Sequence, residues 1–145
     1  MRALVAIAAL AVLAGAAGAG RAGGESRAVR SAFHVGDSLA VGTSRYLAAA
    51  LPGWRLRQQA RVGLQSGEVP ALVRRLGPAL PRVLAVSAGT NGSPAAVAAF
   101  AADVRDVLRL AGPARCVVWA NVVRPPAGGG GYGRLNRTLA ALARR

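Results

Sequence analysis

Two spacings of apolar residues follow one another along this chain. Short, nearly continuous apolar runs predict four β-strands, at 32–36, 54–60, 82–88 and 115–121. Segments with apolar residues at i, i+3, i+4 and i+7 predict four helices, at 38–51, 66–76, 94–110 and 133–144. Pairs of Gly and Pro follow the first three helices and are typical of helix ends. The pattern therefore predicts a chain in which strands and helices alternate.

This alternation predicts the fold class. Strands that alternate with helices form βαβ units, in which right-handed crossovers give a parallel sheet covered on both faces. We therefore expect a three-layer α/β domain of the flavodoxin-like kind. The strand at 82–88 is apolar almost throughout and is expected at the centre of the sheet. The strand at 54–60 alternates Leu56 with Arg55 and Arg57, which indicates a solvated face and hence an edge.

The same spacings predict which side chains form the core. The predicted core face of the first helix consists of Leu39, Tyr46, Leu47 and Ala50. That of the second helix consists of Val69, Leu72, Val73 and Leu76. The third presents Val97, Phe100, Ala101, Val104, Val107, Leu108 and Ala111. The single cysteine, Cys116, lies in an apolar strand and is expected to be an inert buried thiol, and one cysteine forms no internal disulfide.

The N-terminal segment has the layout of a secretory signal peptide. Arg2 precedes an apolar run at 3–13, and small residues at 17–19 provide a cleavage site, with 14–16 as a rival. We therefore divide the chain into a signal peptide at 1–19, a linker at 20–31 and one domain at 32–145. The protein is expected to be secreted or located in the cell envelope. An uncleaved N-terminal membrane anchor is the alternative, and membrane contact is expected in that case alone.

Charge and composition limit the classes of molecule that this protein is expected to bind. The net charge is +14, from 19 arginines, no lysine and five acidic residues. A basic surface favours anionic partners. However, the arginines are spread along the chain and no stripe of aromatic residues accompanies them, so nucleic acid is not expected. With one histidine, one cysteine and scattered acids, neither a metal site nor a cofactor is expected. The protein is expected to be a monomer.

A candidate catalytic site lies at the junction between the first predicted strand and the first predicted helix, at Gly36-Asp37-Ser38. The carboxyl ends of parallel strands are where such sheets bind ligands. Ser38 is either a nucleophile beside an unpaired helix N–H or a plain helix N-cap. The loops at 61–63 and 89–91 are expected at the same rim, where they provide a glycine N–H and a carboxamide. Acyl transfer requires a nucleophile and such donors for an oxyanion.

These three loops resemble the blocks of the SGNH (GDSL-type) hydrolase family. The first block is matched by 36–39, with Ser38 as the nucleophile. The second is matched by Gly63 and the third by 89–91, although Gly92 stands where the family usually has Asp. The resemblance implies an oxyanion hole formed by the N–H groups of Ser38 and Gly63 and the side chain of Asn91. It also implies an exported serine esterase or O-acetyltransferase that acts on a small-molecule or polysaccharide ester.

The sequence departs from the family in its general base. The family places an Asp-x-x-His block near its C-terminus, and this chain has no such block. Its single histidine, His34, lies four residues before Ser38 on the same strand, roughly 13 Å away at about 3.3 Å per residue. A base must lie within about 3 Å, so we expect His34 to be a packed strand residue and find no base in the chain.

Two hypotheses follow from the missing base. In the first, the domain at 32–145 is C-terminally incomplete and lacks the fifth strand and the last helix of the fold. Residues 117–119 would then lie on an apolar, unprotected sheet edge. In the second, the protein is a catalytically inactive binding module that holds an anionic cell-wall polymer with its arginines.

Two further patterns are expected to have no catalytic role. Asp103 and Asp106 lie three residues apart beside Arg105 and Arg109, and we expect them on a solvated helix face. The glycines at 128, 130 and 133 satisfy G-x-G-x-x-G, but no strand precedes them directly and no acid follows. We interpret that segment as a loop that can cover the rim as a lid.

Overall fold

The computed structural model describes residues 30–123 and 131–144. The strands are β1 (Ser31–Gly36), β2 (Arg55–Ala60), β3 (Val83–Ser87) and β4 (Cys116–Trp119). The helices are α1 (Ser38–Ala50), α2 (Val69–Leu76), α3 (Val97–Ala111) and α4 (Gly133–Leu142), and short 3₁₀ turns flank α2 at Ser66–Glu68 and Gly77–Ala79. The predicted signal peptide, all of the predicted linker before Arg30, and residues 124–130 of the predicted lid lie outside these ranges. Within them, no helix is both long and apolar enough to cross a bilayer.

The four strands form one parallel sheet in the order β2-β1-β3-β4. The chain therefore moves one way from β1 to β2 and the other way from β2 through β3 to β4. With right-handed crossovers, this reversal places α1 on one face of the sheet and α2 and α3 on the other. We call these the α1 face and the α2 face. The predicted α/β class and the predicted edge position of β2 are confirmed.

The α2 face carries the main core. Alternate residues of β1 and β3 point towards it, namely Phe33, Val35, Leu84 and Val86. They pack against the apolar side chains of α2 and against Val107 of α3. A second cluster joins α3 to α4 through Phe100, Val104, Leu135 and Leu139. The predicted faces of α2 and α3 are confirmed except at Leu108, which is exposed beside β4.

The predicted core face of α1 is wrong in part, because Leu47 is half-buried but the other three predicted residues are exposed. Leu39 is 44% exposed and Tyr46 is 60% exposed, whereas Ala40 is fully buried. The helix lies close to β1 at Gly36, where an added Cβ would lie 2.6 Å from the Cβ of Ala40. Because this contact admits only small side chains, α1 turns Ala40 inward, with Leu47 half-buried on the same side, and leaves Leu39 and Tyr46 towards solvent.

The burial predicted for the fourth strand is also wrong. Cys116 is exposed and Val118 is 52% exposed, and both lie on the α1 face. The helix α1 packs against β1 and β2, and the residues of β3 on this face are half-buried, whereas those of β4 are exposed. Within the described part of the chain, the expectation of a sheet covered on both faces therefore fails at β4. In the described sheet β4 forms an apolar edge, as predicted for residues 117–119.

Candidate active site at the sheet rim

Strand register brings the three candidate loops to one rim. Gly36, the last residue of β1, pairs with Ala60 at the end of β2 and with Ser87 at the end of β3. Backbone hydrogen bonds continue this register beyond the strands, from Arg61 N–H to the carbonyl of Gly36 at 3.0 Å and from Asp37 N–H to the carbonyl of Ser87 at 2.9 Å. Strand order reverses between β1 and β3, which is where open α/β sheets form a ligand crevice.

Ser38 occupies the first turn of α1, and its neighbour is the helix cap. Asp37 is fully buried, and its Oδ1 accepts from the N–H of Leu39 at 2.9 Å. This capping role is the one that the sequence left open for Ser38. The hydroxyl of Ser38 forms no hydrogen bond with the described residues and is half-buried at the rim. Its N–H lies where a helix has no internal acceptor, at the positive end of the dipole.

Gly63 lies in a tight turn after β2. The N–H of Leu64 donates to the carbonyl of Arg61 at 3.1 Å and closes the turn. Gly63 has φ +80°, the value that the third position of a type II turn requires and that favours glycine. An added Cβ at Gly63 would meet no atom within 4 Å, so the turn is open on that side. The backbone there is accessible to a ligand.

Asn91 is tied to this turn by one hydrogen bond. Its Nδ2 donates to the carbonyl of Leu64 at 3.0 Å, which fixes the carboxamide against the loop that contains Gly63. The amide has a second hydrogen on Nδ2, and this donor has no partner among the described residues. The structure thus places Ser38, Gly63 and Asn91 on three adjacent loops. Their roles in an oxyanion hole stay a prediction.

Comparison with solved structures identifies the fold. No protein-family model and no curated protein matches the sequence. The C-terminal catalytic domain of peptidoglycan O-acetyltransferase A from Streptococcus pneumoniae, solved with a methylsulfonyl adduct, superposes with a TM-score of 0.60 at 15% identity. TesA superposes with a TM-score of 0.63 at 18% identity. The chain has the SGNH-hydrolase fold.

The superpositions cover most of this chain but a smaller share of each neighbour. The match to the O-acetyltransferase domain covers 80% of this chain and 63% of that domain, so the chain spans less than two thirds of its length. The match to TesA covers 79% of this chain and 73% of that protein. At these identities the likeness shows the fold alone. Any activity must be inferred from the residues at the rim of the sheet.

Three side chains that the sequence analysis did not single out support the rim in this SGNH fold. Thr90 is buried, and its hydroxyl donates to Oδ2 of Asp37 at 2.5 Å, which joins the loops after β1 and β3. Tyr132 donates from its hydroxyl to the carbonyl of Thr90 at 2.9 Å. Trp119 donates from Nε1 to the carbonyl of Ala88 at 2.9 Å. Thr90 could have been found from its place between Gly89 and Asn91, whereas Tyr132 and Trp119 have no local signal.

His34 lies inside the sheet, as predicted. It is buried on the α1 face, and its Nδ1 lies 3.4 Å from Nε2 of Gln58, which also donates to the carbonyl of Ala40 at 2.8 Å. Burial lowers the pKa of His34 from its ordinary value. Because it precedes Ser38 by four residues of chain and points into this packed layer, it cannot act as its base.

Two of the described acidic residues form ion pairs with arginine, whereas Asp103 forms a hydrogen bond with a serine. Asp106 pairs with Arg109 at 3.1 Å on the solvated face, as predicted. Glu68 accepts from the N–H of Gln65 and pairs with Arg61, and both contacts lower the pKa of Glu68. The prediction for Asp103 is wrong in part, because this side chain is half-buried and its Oδ2 accepts from the hydroxyl of Ser66 at 2.7 Å. Within the described ranges, no cluster of His, Cys, Asp or Glu is placed to hold a metal ion.

Proposed function

We propose that the protein is an exported serine esterase or O-acyltransferase that acts on ester-linked acyl groups. The observation that carries the proposal is that Asp37 takes the helix cap, which leaves the Ser38 hydroxyl and N–H without partners among the described residues at the strand-order reversal. The SGNH fold, found in a peptidoglycan O-acetyltransferase, supports an acyl-transfer chemistry. The signal-peptide layout of residues 1–19 supports export to the cell envelope or beyond.

The rim supplies most of the groups that this chemistry needs. The Oγ of Ser38 attacks the ester carbonyl, and the Ser38 N–H, the Gly63 N–H and Nδ2 of Asn91 donate to the oxyanion that forms. Expulsion of the alcohol leaves an acyl group on Ser38, and water or an acceptor hydroxyl then removes it. Donors held in place by Leu64 and by the first turn of α1 need little reorganisation as charge develops. The single histidine of the sequence, His34, is packed inside the sheet, so no histidine lies at the described rim to act as the general base.

Reaction with a sulfonyl fluoride, measured by intact mass, tests the nucleophile without requiring turnover. Because no histidine base lies at the described rim, the adduct should form slowly, and we expect one on the wild-type protein and none on Ser38→Ala. Ser44→Ala is the matched control, because Ser44 lies on the same helix and its hydroxyl donates to the carbonyl of Val41. Where the wild type hydrolyses p-nitrophenyl acetate, Ser38→Ala should lower kcat by several orders of magnitude. Unchanged labelling or turnover in Ser38→Ala would overturn the proposal.

A second candidate function is a binding module without catalysis. The specific observation in its favour is that the sole histidine of the sequence, His34, is packed away from Ser38. In this case the arginines hold an anionic wall polymer, and binding weakens steeply as salt screens the charges. Salt-dependent binding of a polyanion, with neither labelling of Ser38 nor hydrolysis, would favour this function over the first.

A further inference from the structure

A cleft of about 300 Å³ opens beside the rim, between the 3₁₀ turn at Ser66–Glu68 and the first half of α3. Ser38, Gly63 and Asn91 do not line it, but residues one or two positions from Gly63 and Asn91 in the chain do. Gln65 lies two residues beyond Gly63, and Gly89 and Gly92 flank Asn91. A ligand whose ester carbonyl lies at the rim can therefore extend into this cleft.

The polar lining of the cleft includes Asp103. Its Oδ2 accepts from Ser66, and its Oδ1 has no hydrogen-bond partner among the described residues. Although the chain has 19 arginines, none of those that the structure describes forms an ion pair with Asp103. Ser93 also lines the cleft, and its Oγ accepts from the N–H of Ala95 at 3.2 Å, so its hydroxyl hydrogen can be donated to a ligand.

This lining selects for hydroxyl groups. An aliphatic acyl chain would remove water from the carboxylate of Asp103 without replacing its hydrogen bonds, which is unfavourable. An ammonium group can pair with Asp103, but it leaves the hydroxyl hydrogen of Ser93 without an acceptor. A sugar-like diol donates to the first and accepts from the second. The space at Gly92 is open, because an added Cβ there would meet no atom within 4 Å.

We propose that this cleft binds the polyhydroxylated alcohol portion of the ester or of the acyl acceptor, with Asp103 as the hydrogen-bond acceptor that orients it. The inference rests on the proposed function for its biological meaning, since it names the alcohol side of that reaction. It concerns binding, however, and can be measured when Ser38 is inert.

The test is a ¹⁵N NMR titration of the full chain with methyl β-D-glucopyranoside as a neutral polyol probe. We expect shifts at the amides of Gly67, Gly92 and Ser93. Asp103→Asn should weaken binding about tenfold, as expected for a lost hydrogen bond to a charged group. The asparagine oxygen still accepts from Ser66, so the melting temperature should hold and a purely structural role would leave the affinity unchanged.

Two further variants sharpen the test. Asp106→Asn is the matched control, because Asp106 lies on the same helix, pairs with Arg109 and does not line the cleft. Gly67→Ala should also weaken binding, since its Cβ would lie 3.7 Å from both carboxylate oxygens of Asp103, in ordinary contact and inside the cleft. Ser38→Ala should bind the probe as the wild type does, which separates this proposal from the nucleophile.

Three outcomes would overturn the proposal. The first is equal affinity of Asp103→Asn and Asp106→Asn for the glucoside. The second is binding of tetramethylammonium in the cleft without binding of the glucoside, which would make it a cation subsite. The third is the absence of amide shifts around the cleft with either probe. None of these outcomes bears on Ser38, which sulfonyl fluoride labelling tests separately.

Discussion

The two faces of the sheet differ in what covers them. On the α2 face, β1 and β3 pack under α2 and α3, and Leu84, Val35 and Val86 are almost fully buried. On the α1 face, α1 covers β1 and β2, while Val118 on β4 is half-exposed in the described structure. The reversal of strand order after β2 produces this difference, because, of the described helices, it places α1 alone on one face and α2 and α3 on the other, where α4 also packs against α3. The α2 face should therefore contribute most of the stability.

The largest effect is expected from removing core volume on each face in turn. Leu84→Ala, on the α2 face, should lower the free energy of unfolding by about 3 kcal/mol, because it leaves a cavity in a close-packed cluster. Val118→Ala, on the α1 face of β4, should lower it by about 0.5 kcal/mol or less. Urea unfolding followed by tryptophan fluorescence measures both. Equal losses at the two sites would show that β4 is covered in solution.

A smaller effect is expected where α1 touches β1. In Gly36→Ala the new Cβ would lie 2.4 Å from the carbonyl oxygen of Ser87, so backbone must move at a cost of about 1–3 kcal/mol. Gly42→Ala is the matched control on the exposed side of α1, where an added Cβ meets nothing within 4 Å. It should stabilise the protein by about 0.5–1 kcal/mol, because alanine favours a helix interior. A harmless Gly36→Ala would contradict the close contact that keeps large residues out of the α1 interface.

The smallest effect is expected from pH, through His34 in the covered part of the α1 face. Because burial lowers the pKa of His34 below 6.5, the unfolded chain takes up a proton first as pH falls. The stability due to the neutral ring is complete above pH 6.5 and is lost as pH falls towards the lower pKa of the folded state.

Urea unfolding at several values between pH 7.5 and pH 5 measures this dependence. His34→Gln removes the titrating ring, so its stability should vary less with pH than that of the wild type. Glu68 has its pKa lowered from 4.5 and titrates below this window, which leaves His34 as the residue under test. Parallel curves for the wild type and the variant would contradict the role assigned to His34.

The period of the apolar residues was sufficient to predict the elements, because burial on one side of a helix or strand is a local property of the sequence. The bounds of α2 and β3 lie within about three residues of those predicted, which is usual for element ends. The core face of α1 could not be predicted in this way. The helix turns Ala40 inward because it lies close to Gly36 of β1. That contact depends on how the helix packs on the sheet.

The candidate site also combines features that the local sequence predicts with features that only the tertiary structure shows. The turn residues 36–38, Gly63 and 89–91 were visible in the sequence, because turns and helix starts have local residue preferences. Their convergence on one rim could be expected from a parallel sheet. The hydrogen bonds that Thr90 and Tyr132 give to the rim could not, because each joins residues far apart in the chain. The cap is a local contact of Asp37 with Leu39, but the sequence alone did not decide whether Asp37 or Ser38 forms it.

By itself, the sequence determined the alternation of strands and helices, the parallel α/β class and the three loops with candidate chemistry, since all of these follow from local pattern. The tertiary structure decided which side of α1 faces inward, that Cys116 is exposed on an edge strand, and that Asp103 turns into a cleft beside Ser66. Each of these depends on strand order and crossover hand, which set the neighbours of a side chain and are not encoded in its immediate surroundings.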